Sequence, residues 1–224
     1  MLPRRLYRAA RYLVAEMSID PAAARRWLPA GLRLDSEVGE LFAASFADNA
    51  FGSVYLEAGI FLRVRHLGRR AIHCPWMVVD DDVALILGRE LLGYPKKLAE
   101  LQWLDDRDSI RVRCVRRGAE LVRLDATLGA VVSSPPPFLG RPHRNLIGTV
   151  LPRLVAFTPR EVPVEVRAAD VHVRVGTSER DPLHELGWGQ VLRARLHTVD
   201  LMRSLPPVPV GIAPDPRGVR RRHW

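Results

Sequence analysis

The chain has 224 residues, enough for one large domain or two small ones, and its 47% hydrophobic and 26% charged residues are the balance of a globular protein. A net charge of +9 would suit nucleic acid, but Arg217, Arg220, Arg221 and Arg222 crowd four of those charges into the terminus, and the +5 left on residues 1–216 is spread without aromatic interleaving. No apolar run approaches the roughly 20 residues of a membrane span, so neither a nucleic-acid nor a membrane partner is expected.

Residues 12–19 read as a strand, and their apolar start is halted at Glu16, too short for the core of a secretion signal. Asp20 and Pro21 cap and open a short helix over 22–28, which Pro29 and Gly31 end. Strand-like runs follow at 41–47, 53–65 and 71–79, the last two flanking Gly68 and Arg69 as a hairpin. Asp80, Asp81 and Asp82 precede Val83, Ile86, Leu87 and Leu91, apolar at helical spacing, so a helix is predicted over about 81–91. Gly93 stops it and Pro95 prevents its restart. Residues 98–104, 109–115 and 120–128 read as strands, the last two turning at Arg117 and Gly118. After a proline-rich loop at 133–137, strand-like runs near 148–157, 163–175 and 189–198 complete a single domain over 1–205. From Pro206 the chain is Pro-rich and then basic, a surface strap or disordered tail over 206–224. Eighteen prolines and a majority of strands predict a mainly β (α+β) protein with antiparallel pairing and a few short helices.

Cys74 and Cys114 are too few for a disulfide framework or a four-ligand zinc site, and read as reduced core thiols of a cytoplasmic protein. His66, His73 and Cys74 repeat no ligand spacing, so no metal is expected. The informative count is among the cations. Of 34 basic residues only two are lysine, and these are adjacent, Lys96 and Lys97. A lysine amine attacks a carbonyl only when neutral, and its ordinary pKa leaves roughly one molecule in 2,500 neutral at pH 7. Imine chemistry therefore needs burial or a neighbouring cation. Arginine stays protonated and forms no imine, so a chain that writes Arg nearly everywhere else and keeps two lysines together points to lysine chemistry.

The stretch Gly88-Arg89-Glu90-Leu91-Leu92-Gly93-Tyr94-Pro95-Lys96-Lys97 resembles the acetoacetate decarboxylase family, in which a Gly-Arg-Glu helix end is followed by aromatic-Pro-Lys-Lys. Tyr55-Leu56-Glu57-Ala58-Gly59 falls where that family has Tyr-x-Glu-x-Gly, and the resemblance extends over about 8–200. It implies an antiparallel open or conical β-barrel, Lys96 as a Schiff-base nucleophile, Lys97 as its cationic neighbour and Glu57 as an active-site carboxylate. Two positions depart from the pattern. Phe42 stands where the family's decarboxylases carry a second carboxylate, with Glu40 two residues away on the same strand face. Ala10 stands where they carry an arginine, with Arg11 adjacent. Arg11 and Glu40 are therefore the candidate substrate-binding residues.

The implied activity is decarboxylation of a β-keto acid through a lysine imine, with no cofactor because the imine is the electron sink. The same imine used for aldol, retro-aldol or dehydration chemistry is the alternative, and a non-catalytic module binding small acids is a third. The expected partner is a small-molecule keto acid, and the resemblance implies a homo-oligomer.

Overall fold

The computed structural model describes residues 4–148 and 151–215. Its frame is one large mixed sheet of 14 strands that does not close on itself. The strands are β1 (Arg5–Ser18), β2 (Arg33–Phe46), β3 (Asp48–Asn49), β4 (Tyr55–His66), β5 (Arg69–Val79), β6 (Lys96–Leu98), β7 (Glu100–Asp106), β8 (Ser109–Arg116), β9 (Ala119–Val131), β10 (His143–Ile147), β11 (Arg153–Phe157), β12 (Arg160–Val175), β13 (Val191–Met202) and β14 (Val208–Ile212). Their spatial order is β14-β11-β10-β5-β4-β2-β1-β13-β12-β9-β8-β7, with β3 beside β1 and β6 beside β5. The expected mainly β architecture with few helices is what forms. Pairing is antiparallel except where β5 meets β10 and β6, both parallel.

Two helices interrupt the sheet, α1 (Pro21–Arg25) and α2 (Asp82–Leu92). In α1 the Asp20 carboxylate accepts from the Ala22 N–H at 2.8 Å, and Pro21 sits where its missing N–H costs nothing. The helix ends three residues before its expected bound. The predicted bounds of α2 hold within a residue because both ends are chemically specified. The Asp81 side chain accepts from the Ala84 N–H at 2.7 Å, and Gly93 turns left-handed at φ 65° to end it.

Two apolar clusters lie on opposite faces of the sheet. Alternation along β1 sends Leu13, Ala15 and Met17 into one and Ala10, Tyr12 and Val14 into the other. The first cluster also holds Trp76 and Val78 of β5 and the core of β8 and β9. The second is aromatic, gathering Phe42, Phe46, Tyr55, Phe61, Tyr94, Phe138 and Phe157, and α2 packs on this side through Ala84.

Part of the expected surface strap forms a strand. Val208–Ile212 is a strand, pairing with β11 at the sheet edge, where Pro209 is tolerated in a way an inner strand would forbid. The basic run Arg217, Arg220, Arg221 and Arg222 lies outside the described residues. Among the described residues no helix is long and apolar enough to cross a membrane.

Candidate active site

Strand alternation decides where the two lysines go. Strand β6 runs parallel to β5 with Lys96 beside Met77 and Lys97 beside Val78, and those neighbours belong to opposite clusters. Lys96 therefore enters the aromatic side and Lys97 the other.

On the aromatic side the Lys96 amine lies 2.9 Å from Glu57 Oε2 and 5.2 Å from the centre of the Tyr55 ring. Tyr55 and Glu57 share a face of β4 because they are two residues apart. Both ends of the ion pair are buried, Lys96 at 5% and Glu57 at 6% exposure. Gly88 makes this possible from the helix side. A Cβ there would fall 2.6 Å from Lys96 Cε, so only glycine lets α2 approach the lysine stem. The glycine of the Gly-Arg-Glu helix end is thus a packing requirement of the lysine.

Gly59 performs the same service for Phe42. The two residues are registered across β2 and β4, and a Cβ on Gly59 would meet the Phe42 ring at 2.8 Å. Phe42 then stacks on Phe61 with centroids 4.8 Å apart, backing the wall that Phe61 presents to the cavity.

The cavity in front of Lys96 measures about 440 Å³. Tyr7, Tyr12, Tyr55 and Tyr94 line it, with Phe46, Phe51, Phe61 and Phe157, a face of α2 and the segment 201–207. Burial pushes the Tyr12, Tyr55 and Tyr94 phenols well above their ordinary range, so they stay protonated donors. Tyr55 and Tyr7 hydroxyls lie 3.3 Å apart. The Tyr94 hydroxyl lies 3.2 Å from His143 Nδ1, and His143 Nε2 is 3.1 Å from the Leu139 carbonyl. An imidazole that donates to the carbonyl from Nε2 and accepts from the phenol at Nδ1 is neutral. Burial accordingly pushes His143 down to about 3. Tyr55 was within reach of period-two reasoning from Glu57, whereas Tyr7, His143 and the 201–207 segment join through long-range contacts that no local pattern carries.

The other expected residues are placed elsewhere. Lys97 does not neighbour the Lys96 amine as a cation. Its ammonium pairs with Asp181, which also accepts from Arg116 at 2.7 Å and from the Trp76 indole at 2.8 Å. Burial lowers Lys97 to about 8 despite that partner. Burial works to raise the Asp181 carboxyl, but Lys97, Trp76 and Arg116 together hold it below its ordinary value.

Arg11 also faces away from the cavity, pairing with Asp105 and lying 5.8 Å over the Trp103 ring. Its neighbour Ala10 is the residue on the cavity side, so alternation removes the guanidinium from the site. Glu40 does share the face of Phe42. Its carboxylate is nonetheless committed to Arg63 at 2.9 Å and Arg141 at 2.6 Å, and it does not line the cavity. His66 and His73 serve β10, the first facing Arg144 Nε at 3.4 Å and the second lying 2.7 Å from the Arg144 carbonyl.

Residues 1–209 match the family model described as acetoacetate decarboxylase. Acetoacetate decarboxylase 1 of Mesorhizobium japonicum is 29% identical over 182 residues, covering 75% of this chain and 68% of that protein. The acetoacetate decarboxylase of Chromobacterium violaceum is 33% identical over 86 residues, 38% of this chain and 35% of its own. Among solved structures, the acetoacetate decarboxylase of Legionella pneumophila superposes with a TM-score of 0.78 at 16% identity, covering 95% of this chain and 87% of that one. The enduracididine biosynthesis enzyme MppR in complex with pyruvate superposes at 0.74 and 18% identity, covering 88% of each chain. With its lysine motif, its sheet and these matches in agreement, the chain belongs to the acetoacetate decarboxylase family.

Proposed function

We propose that this protein is a Schiff-base lyase that decarboxylates a β-keto acid through Lys96. The observation that supports it most directly is the amine held 2.9 Å from Glu57 in a buried, aromatic-walled cavity. At that distance Glu57 takes a proton from the ammonium and frees the nucleophile. The amine adds to the keto carbon, and Glu57 returns the proton to the carbinolamine hydroxyl as it departs as water. The iminium then accepts the electron pair of the breaking carbon–carbon bond, releasing carbon dioxide and leaving an enamine. Protonation at carbon and hydrolysis restore the lysine.

The apolar wall favours the bond-breaking step, because a carboxylate stripped of water disperses its charge as carbon dioxide forms. No cofactor is required, since the iminium is the electron sink. A specific position favours a second reading. Phe42 stands where the family's decarboxylases carry another carboxylate, and the structural likeness extends to MppR bound to pyruvate. The same Lys96 imine would then serve aldol or dehydration chemistry.

Borohydride added with acetoacetate should reduce the imine and add mass to the Lys96 peptide, and Lys96→Arg should abolish the adduct. Carbon dioxide release then separates the two readings. An adduct that persists in Lys96→Arg would place the nucleophile elsewhere, and a native protein that never forms one would make the cavity a binding site.

A further inference from the structure

The cavity is larger and more apolar than a four-carbon keto acid requires. The reactive pair sits deep, while the opening is edged by Leu91, 56% exposed, and Leu205, 87% exposed. Between these ends the wall is carried by Ala84 and Leu87 of α2 and by Leu201 and Met202 of β13. Besides Lys96 and Glu57, the charged side chain on the lining is that of Arg203, which is itself exposed at the opening. At about 440 Å³ the cavity falls in the range of pockets that bury drug-sized ligands, so a four-carbon acid would leave much of it to water.

The phenols on the lining are engaged in part with one another and with His143, Tyr55 with Tyr7 and Tyr94 with the imidazole, so a substrate polar along its length would leave groups unpaired against the leucines and methionine of this wall. An apolar one would release that water and cover leucines otherwise left facing solvent. We infer that the substrate is a β-keto acid whose keto carbon bears a bulky apolar chain or ring, its reactive head at Lys96 and its substituent running along α2 towards 201–207. This rests on the imine reading above and adds the identity of the substituent.

Methyl ketones, the products of such a decarboxylation, read the wall separately from the chemistry. Calorimetric dissociation constants for the series from acetone to 2-heptanone should fall about fourfold with each added methylene, about 250-fold in all. Ala84 lies one helical turn from Gly88 on the same face of α2. Ala84→Phe fills the space beside the head and should flatten the series beyond its first members. Affinity that is level or falls with chain length in the native protein overturns the inference, whatever the variant does. Borohydride added to the same mixtures tests the imine apart from it. Adducts with every ketone at level affinity would leave the imine and sink the apolar substituent. Steep affinity without adducts would leave the substituent and sink the imine.

Discussion

Gly88→Ala should disable the chemistry and leave the fold intact. The added Cβ would lie 2.6 Å from Lys96 Cε, 2.7 Å from Cδ and 3.2 Å from Nζ, where ordinary contact begins at 3.4 Å. The end of the lysine must therefore retreat by about 1 Å. What moves is the flexible tip of a side chain, and the helix backbone is not asked to shift. Alanine in place of a helix-interior glycine stabilises by about 1 kcal/mol. Loosening the charged hydrogen bond between Lys96 and Glu57 removes about 1–2 kcal/mol. The two nearly cancel, so the melting temperature should stay within about 4 °C of the native value. A reacting atom misplaced by 1 Å costs about 100-fold in rate. Carbon dioxide release and borohydride-trapped adduct should thus fall about 100-fold in a protein that melts normally. A Gly88→Ala protein that reacts at the native rate would show that the observed lysine position is not the reactive one, and a drop of more than ten degrees would show that Gly88 serves the fold first.

Lys97→Met should cost about 3 kcal/mol in urea unfolding, because removing one partner of a buried pair leaves Asp181 undercompensated, while adduct formation at Lys96 continues. A parallel loss of adduct at unchanged stability would return Lys97 to the reaction. Glu57→Gln keeps the shape but cannot carry a proton, so turnover should fall by about 10²–10⁴; a loss below tenfold would remove Glu57 from proton handling. His143, pushed down to about 3 by burial, makes the fold acid-labile. Its folded pKa lies below the unfolded value of about 6.5, so between them the unfolded chain holds a proton that the folded chain refuses. Stability therefore falls as pH drops from about 6.5 towards 3, by about 5 kcal/mol at most. His197, lowered to about 4, adds to the same window, so the comparison is made against His143→Gln. Urea midpoints followed from pH 7 to 4 should converge for the two proteins, and parallel profiles would refute the assignment.

Local chemistry explains which parts could be read without coordinates. The α2 bounds were legible because Asp81 and Gly93 are specific end signals. Strand β10 was not, because it buries His143 and Asn145, polar residues that local reasoning sends to solvent. Their polarity is answered from far along the chain, Asn145 accepting from the Cys74 N–H and donating to the Leu92 carbonyl, both at 3.1 Å. Strand β14 was hidden by Pro209, which only a sheet edge excuses, and by Pro206 and Pro207 just before it. At the site, Lys96 and Glu57 were legible from their motifs. Arg11 and Glu40 were placed by adjacency to motif positions, whereas the structure sets Arg11 against Asp105, 94 residues away, and Glu40 against Arg63 and Arg141, 23 and 101 residues away. A charge next to a vacant motif position is a weak guide when strand alternation turns it to the other face, or when distant arginines have already claimed it.

The pair of lysines in an arginine-rich chain therefore has two separate explanations. At Lys96 the requirement is an amine that can lose its proton and become a nucleophile, which arginine cannot supply. At Lys97 the requirement is a compact cation in a space already holding the Arg116 guanidinium and the Trp76 indole around one carboxylate. A second planar guanidinium there would be larger than the ammonium and would have to fit among buried neighbours. Adjacent positions on a strand face opposite ways, so one dipeptide supplies the reactive group on the aromatic side and a lock on the other. Asp181 ties the loop before β13 to β5, β6 and β8 through Trp76, Lys97 and Arg116, and so fixes the back of the short strand that carries Lys96. The dipeptide thus joins a reactive amine, given room by Gly88, to an ion pair that anchors its strand in the fold, and only the first lysine faces the cavity.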